Sequence, residues 1–169
     1  MVDSGNQISS GPVDYSETFA SMVDTALSRP PACSITATGQ RIDDHFHFDI
    51  QITNLSGTIL SVSNSATVHA MLYEIDATNV VPDMAGITGA YVRAGASSSI
   101  SSLANGATGN FSLDTPDLTG VENWNNVYSL VIVDYRPGAG GAYDTLQAAF
   151  EVKSRTPSMA PLIELLLMD

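Results

Sequence analysis

HFHFDIQITN, residues 45–54, is the stretch that decides the fold. Its large apolar side chains occupy every second position, with polar side chains between them: Phe46, Phe48, Ile50 and Ile52. A spacing of two is typical of a β-strand with one face in a core and the other in water. The rest of the chain is therefore expected to supply the sheets that cover this apolar face.

Further segments show the same period or are continuously apolar, and turn residues separate them. Beside the strand contained in residues 42–54, we predict strands over residues 34–38, 59–62, 67–75, 91–94, 108–113, 127–135 and 143–152. Residues 67–75 carry apolar side chains on both faces, which predicts a central strand. The sequence thus predicts an all-β fold, an antiparallel immunoglobulin/fibronectin-III-like β-sandwich over residues 32–153, with one N-terminal amphipathic helix.

The two ends of the chain depart from the strand pattern. Residues 1–31 are interpreted as a flexible lead-in and an amphipathic helix, a remnant of a preceding domain. The helix is predicted over residues 15–28, because apolar side chains recur there at helical spacing before Pro30-Pro31 ends it. Residues 154–169 are interpreted as a linker and an apolar C-terminal tail. We expect the helix and the tail segment 159–168 to contact an adjacent domain or a second copy of the chain.

Composition and charge narrow the class of protein. The chain has 18 acidic and 6 basic residues, a formal net charge of -12, and only 14% charged residues. The negative electrostatic field of such a chain repels phosphate backbones, so nucleic acid is not an expected partner. A surface rich in uncharged polar side chains indicates a secreted or cell-envelope protein. No apolar stretch reaches the length of a membrane-spanning helix, so no membrane span is predicted.

The outer face of the central strand offers the best candidate for a ligand site. His45, His47 and Asp49 alternate with the apolar residues, so they share one face. Two imidazoles and a carboxylate suit a divalent metal such as zinc, nickel or copper, although such residues also occur on plain solvated strands. This possible metal is the one cofactor that the sequence suggests. His69 lies on another strand, where a hydrogen-bonded role within or beside the sheet is expected.

Other candidate sites have weaker patterns, and each residue set also fits a purely structural or solvent-exposed role. Two acidic regions offer oxygen ligands for calcium or are simply solvated loops: Asp114, Asp117 and Glu122, and Glu74, Asp76 and Asp83. Four aromatic residues form a sugar-binding platform or plug the ends of the core: Trp124, Tyr128, Tyr135 and Tyr143. The single cysteine, Cys33, excludes an intrachain disulfide and is expected to be a small semi-buried residue. No G-x-S-x-G motif and no phosphate-binding glycine loop before a helix occurs, so no enzyme activity is predicted.

The order of these features resembles a known family. YSETFASMVDTALSRPP, residues 15–31, resembles the last helix of the thioredoxin-like domain in bacterial secreted proteins of the Omp28-like kind. Residues 52–74, 98–116 and 125–137 are similar to the Ig-like β-domain that follows it, and APLIELLLMD, residues 160–169, to the apolar terminus of some surface-exported proteins. The thioredoxin-like part with its redox cysteines is not in this sequence, so the resemblance implies a fold and a context but no catalytic role.

Taken together, the sequence predicts a non-catalytic structural or interaction module of a secreted or cell-envelope bacterial protein. Its expected partner is protein, either an adjacent domain or a second copy. The alternative function is a ligand-binding module for a divalent metal or a glycan on a β-sandwich.

Overall fold

The computed structural model describes residues 20–22, 24–25, 28–77, 89–137 and 143–150. These residues form nine β-strands: β1 (Cys33–Ile42), β2 (His45–Asn54), β3 (Leu60–Ser61), β4 (Thr67–Ala77), β5 (Gly89–Ser99), β6 (Ser102–Leu103), β7 (Thr108–Asp114), β8 (Val127–Tyr135) and β9 (Asp144–Phe150). Two single turns of 3₁₀ helix stand before β4 and β8: Val62–Asn64 and Trp124–Asn126.

The main strands build two antiparallel sheets that face each other. One has the order β1-β2-β7 and the other β5-β4-β8-β9, while β3 and β6 form a two-residue ribbon. Between the two sheets lies one apolar cluster, to which β2 contributes the four side chains that its period singles out: Phe46, Phe48, Ile50 and Ile52. These four are at most 6% exposed. The predicted all-β sandwich is thereby confirmed.

Strand β4 is central, as its two apolar faces predict, because β5 and β8 pair with it on either side. Strand β5 is longer than the predicted segment 91–94. Its glycines, alanines and serines have low strand propensity. They extend nonetheless, because the ladder to β4 continues from Ala77 opposite Gly89 to Thr67 opposite Ser99, with two register shifts on the way. Pairing with a central strand thus overrides the local preference.

The sandwich has two poles. The proximal pole holds residues 28–32, 55–66 and 100–107, and the chain reaches β1 there: Ala32 N–H donates to Leu146 O at 3.3 Å, and Leu55 N–H donates to Ala32 O at 2.9 Å. The distal pole holds residues 43–44 and 115–126, and β9 runs towards it. The start of β1 and the end of β9 are therefore separated by about the length of a strand.

The predicted helix is described in part. Residues 20–22 and 24–25 are helical, and Ser28 N–H donates to Asp24 O at 3.0 Å. The remainder of the helix and the apolar tail 159–168 lie outside the described residues. In the part of the chain that is described, no helix is long and apolar enough to cross a membrane.

Candidate functional site

The outer surface of the β1-β2-β7 sheet is polar except at the distal end of β1, where Ile42 is 40% exposed. Its outward side chains alternate with the core residues of the same strands, and twelve of them make up what we call the polar face: Ser34, Thr36, Thr38 and Gln40 on β1; His47, Asp49, Gln51 and Thr53 on β2; Thr108, Asn110, Ser112 and Asp114 on β7. These side chains are short or medium in length. The polar face contains no lysine, arginine or glutamate.

Hydrogen bonds between neighbouring strands connect the side chains of this face. The hydroxyls of Thr53 and Thr108 are 2.9 Å apart, and Gln51 Nε2 donates to Asn110 Oδ1 at 3.2 Å. Both pairs are directly opposite in the β2–β7 register. The face therefore has a defined arrangement of donors and acceptors, because each bonded side chain is restrained by its partner.

His47 is the most connected residue of the polar face. Its Nδ1 lies 2.7 Å from Asp114 Oδ1, and its Nε2 lies 3.3 Å from Ser112 Oγ and 3.5 Å from Asp49 Oδ1. The hydrogen bond to Asp114, together with the charges of Asp114 and Asp49, raises the pKa of His47, and the slight burial of the ring opposes this only in part. The arrangement favours the imidazolium form.

The predicted metal ligands share this face but do not converge. His47 and Asp49 are within 3.5 Å, whereas His45 Nδ1 is directed to Asp117 Oδ1 at 3.7 Å. Among the described residues, no group of three or more histidine, cysteine, aspartate or glutamate side chains is arranged to hold a metal ion. Metal binding by His45, His47 and Asp49 stays a prediction, and a rise in melting temperature with zinc that EDTA reverses would test it.

A shallow depression of about 320 Å³ lies in the middle of the polar face. Polar side chains surround it: Thr36, Thr38, Asp49, Gln51 and Asn110. Its floor is the row of Ala37, Ile50 and Phe111, which stand opposite one another on the three strands. The depression thus combines a floor of three paired residues with hydroxyl, amide and carboxylate groups at its rim.

A second polar centre is buried between β4, β5 and the loop 115–126. The Glu74 carboxylate, 1% exposed, accepts from Arg93 Nη2 at 2.6 Å and Arg93 Nε at 2.8 Å. Two backbone N–H groups of the loop also donate to it, from Glu122 at 2.9 Å and from Asn123 at 2.5 Å. Burial would raise the pKa of Glu74, but these backbone donors and Arg93 together lower it below the ordinary value.

This centre holds the loop against the four-stranded sheet, so its geometry is that of a structural anchor. From the sequence, Glu74 is predicted to border a possible calcium loop and Arg93 has no predicted role. A usable signal existed: one glutamate within the apolar strand 67–75 and one arginine in the next strand segment form a possible cross-strand pair.

The four aromatic residues of the proposed sugar platform are not brought together. Trp124 lies at the distal pole beneath the guanidinium of Arg41, 3.4 Å from the ring centroid, and Tyr128 stacks on Tyr73 with centroids 5.9 Å apart. Tyr135 stands at the other end of β8, and Tyr143 is covered by Arg136 at 4.3 Å. Two of the rings therefore lie towards the distal pole and two at the proximal pole, and the four form no common platform.

The two remaining candidate residues, His69 and Cys33, are a hydrogen-bonded and a buried side chain, respectively. His69 Nδ1 is 3.1 Å from Ser97 Oγ and its Nε2 is 3.3 Å from Asp134 Oδ1, which is the hydrogen-bonded role predicted for it. Cys33 is 1% exposed, and burial raises the pKa of its thiol to about 12. A thiol with such a pKa is almost entirely protonated at neutral pH and is a poor nucleophile.

Comparison with known proteins gives no functional assignment. No protein-family model matches the sequence, and no curated protein matches it. Among solved structures, the chain is similar to the crystal structure of Spo0M, a sporulation control protein from Bacillus subtilis, with 11% identity and a TM-score of 0.39. The similarity covers 80% of this chain and 54% of that chain, so this chain spans about half the length of its neighbour. A likeness at this level carries no argument about function.

Proposed function

We propose that the chain is an immunoglobulin-like structural and interaction module of a secreted or cell-envelope bacterial protein, without catalytic activity of its own. The observation that carries the proposal is that β1 begins at the proximal pole and β9 ends towards the distal pole. A strand rises about 3.3 Å per residue, so β1 with its ten residues separates the poles by about 30 Å. A sandwich connected in this way acts as a spacer between the segments on its two sides.

The fastening at the proximal pole supports the spacer role. Arg29 Nη2 lies 2.7 Å from Asp144 Oδ1 and 3.4 Å from Thr145 O, at the start of β9. Backbone bonds of Ala32 add two further attachments, one to β9 and one to the turn after β2. A segment fixed at several points transmits its orientation to the sandwich, whereas a free linker would not.

Exposed apolar side chains at the same pole support an interaction with protein. Leu55 is 51% exposed, Ile59 55% and Val62 62%. All three lie between β2 and β4 at the proximal pole, and Leu55 N–H donates to Ala32 O of the segment that leads to β1. Apolar side chains at the junction between a module and its neighbour are suited to a contact with that neighbour or with a second copy.

Distance measurement between two spin labels tests the spacer role in the full chain. Labels on Ser28→Cys, just before β1, and on Val92→Cys, towards the distal pole, should give one narrow distance distribution. Native Cys33 will not take up the label, because it is buried with a pKa of about 12. Arg29→Ala should broaden the distribution, since it removes the contact with Asp144.

Arg41→Ala is the matched control. It also removes an exposed arginine, but the contacts of Arg41 are with Trp124, Asp43 O and Asp44 at the distal pole. The narrow distribution should survive this substitution. A broad distribution in the unsubstituted chain, or equal broadening by both substitutions, would show that the leading segment is not held and would overturn the spacer proposal.

The proposed location needs a separate experiment. The low charged fraction and the resemblance to Omp28-like secreted proteins support it. Externally added proteinase should degrade the natural gene product on intact cells, or after release of the outer membrane, while a cytosolic marker stays intact. Protection until the cytosol is opened would contradict a secreted or envelope location.

A further inference from the structure

The polar face has the chemistry of a surface that recognises hydroxyl groups. Around the depression it presents threonine hydroxyls, the amides of Gln51 and Asn110, and the carboxylate of Asp49. An amide both donates and accepts, a hydroxyl does the same, and a carboxylate accepts from several donors. Adjacent hydroxyls of a sugar ring need this mixture, because each is at once a donor and an acceptor.

Two properties of the face reduce the cost of binding. Gln51 and Asn110 already hold each other through one hydrogen bond, which leaves Gln51 Oε1 and Asn110 Nδ2 for a ligand. The side chains stand on three paired strands, so their spacing is set by the backbone register. Groups that are restrained before binding lose less conformational entropy when a ligand arrives.

The depression has the dimensions of a small-ligand site. Its volume of about 320 Å³ falls at the lower end of the range for small-molecule sites, roughly 300–1,000 Å³. Its floor is the row of Ala37, Ile50 and Phe111, one residue from each of the three strands. The polar face extends along the strands on both sides of the depression. A ligand longer than one sugar ring therefore has further hydrogen-bonding partners.

Charge selects among sugars. The charged groups around the depression are carboxylates, Asp49 at its rim and Asp114 beside it, and the chain carries a net charge of -12. The basic side chain beside them, His47, is already bonded to Asp114 at 2.7 Å and lies 3.5 Å from Asp49. Phosphate, sulfate or uronic acid groups would therefore be repelled, whereas an uncharged hydroxyl donates readily to a carboxylate.

We propose that the polar face is a binding site for neutral oligosaccharides, with Asp49, Gln51 and Asn110 as the contacting side chains. This goes beyond the spacer role and is independent of it. Of the described residues that line the depression only Phe111 is aromatic, and it packs against the apolar core, so hydrogen bonds carry the affinity and a Kd of about 1 mM is expected. Binding of this strength becomes effective when several sites meet one polysaccharide chain.

Amide chemical shifts of the ¹⁵N-labelled full chain test the proposal. Cellohexaose, xylohexaose, mannohexaose and maltohexaose serve as neutral probes, and hexagalacturonic acid as the anionic one. We expect saturable shifts with at least one neutral probe, confined to residues 36–38, 49–51 and 110–112. The anionic probe should give none. Gln51→Ala and Asp49→Asn should each weaken binding of the neutral probe about tenfold.

Gln147→Ala is the matched control, since Gln147 lies on β9 in the other sheet and away from the polar face. It should leave the titration unchanged. Asp49 and Gln51 are exposed, and melting temperatures within a few degrees of the unsubstituted chain will show that their variants are folded. Absence of shifts with all four neutral probes, shifts centred elsewhere, or equal binding of hexagalacturonic acid would each overturn the proposal.

Discussion

At the scale of single residues, Glu74 and Arg93 present the sharpest energetic problem in the molecule. Both side chains are removed from water, at 1% and 8% exposure, and each depends on the other for compensation of its charge. Breaking such a pair from one side costs several kcal/mol, because the remaining charge stays buried without a partner. Their identity is therefore more constrained than that of any exposed residue on the same strands.

Glu74→Gln is expected to lower the free energy of unfolding by about 3–5 kcal/mol at pH 7. The amide keeps the shape of the side chain but leaves the buried Arg93 charge with only the more distant Glu122 carboxylate, 4.0 Å away. Because the pKa of Glu74 is lowered in the folded state, the stabilisation is present above the pKa of the unfolded chain. It is lost as the pH falls through the folded-state pKa. Urea unfolding at pH 7 and at lower pH measures both effects.

Glu122→Gln is the control for this substitution. The Glu122 side chain is 29% exposed, and its carboxylate lies 4.0 Å from Arg93, at the limit of an ion pair. The same chemical change should cost no more than about 1 kcal/mol there. Equal losses for the two variants would contradict the assignment of Glu74 as the buried anchor.

His47 gives a second prediction at this scale. Its pKa is raised by the hydrogen bond to Asp114, so the charged form stabilises the fold. This contribution is fully present below the unfolded-state pKa of about 6.5 and is lost as the pH rises through the higher folded-state pKa. The difference in unfolding free energy between the unsubstituted chain and His47→Gln should therefore be larger at pH 5.5 than at pH 8.5.

Nuclear magnetic resonance of the imidazole measures the same effect directly. Asp114→Asn should lower the pKa of His47, since it removes the nearest acceptor at 2.7 Å. Ser112→Ala should change the pKa less, because the Asp114 contact remains. A titration midpoint at or below the ordinary histidine value in the unsubstituted chain would refute this assignment.

At the scale of elements, turns and pairing determine where strands begin and end. Asn54, the last residue of β2, is fully buried. Its Nδ2 donates to Thr58 O at 2.7 Å and to Leu103 O at 2.8 Å, and its Oδ1 accepts from Ser56 N–H at 3.0 Å. One side chain thereby closes the turn after β2 and ties it to the ribbon of β3 and β6.

Asn54→Ala is expected to destabilise the chain by about 2–3 kcal/mol, because buried carbonyls and an N–H lose their partners. Hydrogen exchange should show faster opening of residues 55–60 and 102–104 than of β4 and β8. Asn110→Ala is the control at an exposed strand position and should change stability by less than about 0.5 kcal/mol. Uniform acceleration of exchange over the whole sandwich would contradict a local role for Asn54.

At the scale of the whole molecule, the charge balance acts against the compact state. Six basic residues face 18 acidic ones, and the net charge of -12 is held close together by folding. Self-repulsion of this kind destabilises a folded protein. Salt screens it, since the Debye length falls from about 30 Å at 0.01 M to about 8 Å at 0.15 M ionic strength.

The melting temperature at pH 7.5 is therefore expected to rise by a few degrees between 0.01 M and 0.15 M sodium chloride. A gain of about 1 kcal/mol corresponds to roughly 2–4 °C for a chain of this size. The same comparison near pH 4, where about half of the carboxylates are protonated, serves as the control and should show a smaller rise. A fall in melting temperature with salt at pH 7.5 would mean that the ion pairs outweigh the repulsion.

The sequence by itself determined the fold class and the inner face of the sandwich. The period of two in residues 45–54 and the two apolar faces of residues 67–75 are local patterns, and burial follows directly from them. The same period predicts that His45, His47 and Asp49 share an outer face. These features can be predicted from a single segment, without knowledge of which strand pairs with it.

Only the tertiary structure decided which residues meet across strands. Three contacts join residues that are far apart in sequence. They are the ladder to β4 that sets the length of β5, the bond between His47 and Asp114, and the pair of Glu74 and Arg93. The order of the strands and their register create these contacts, and neither is encoded in a local period. For the same physical reason the depression on the polar face, assembled from three strands, has no signature in any one of them.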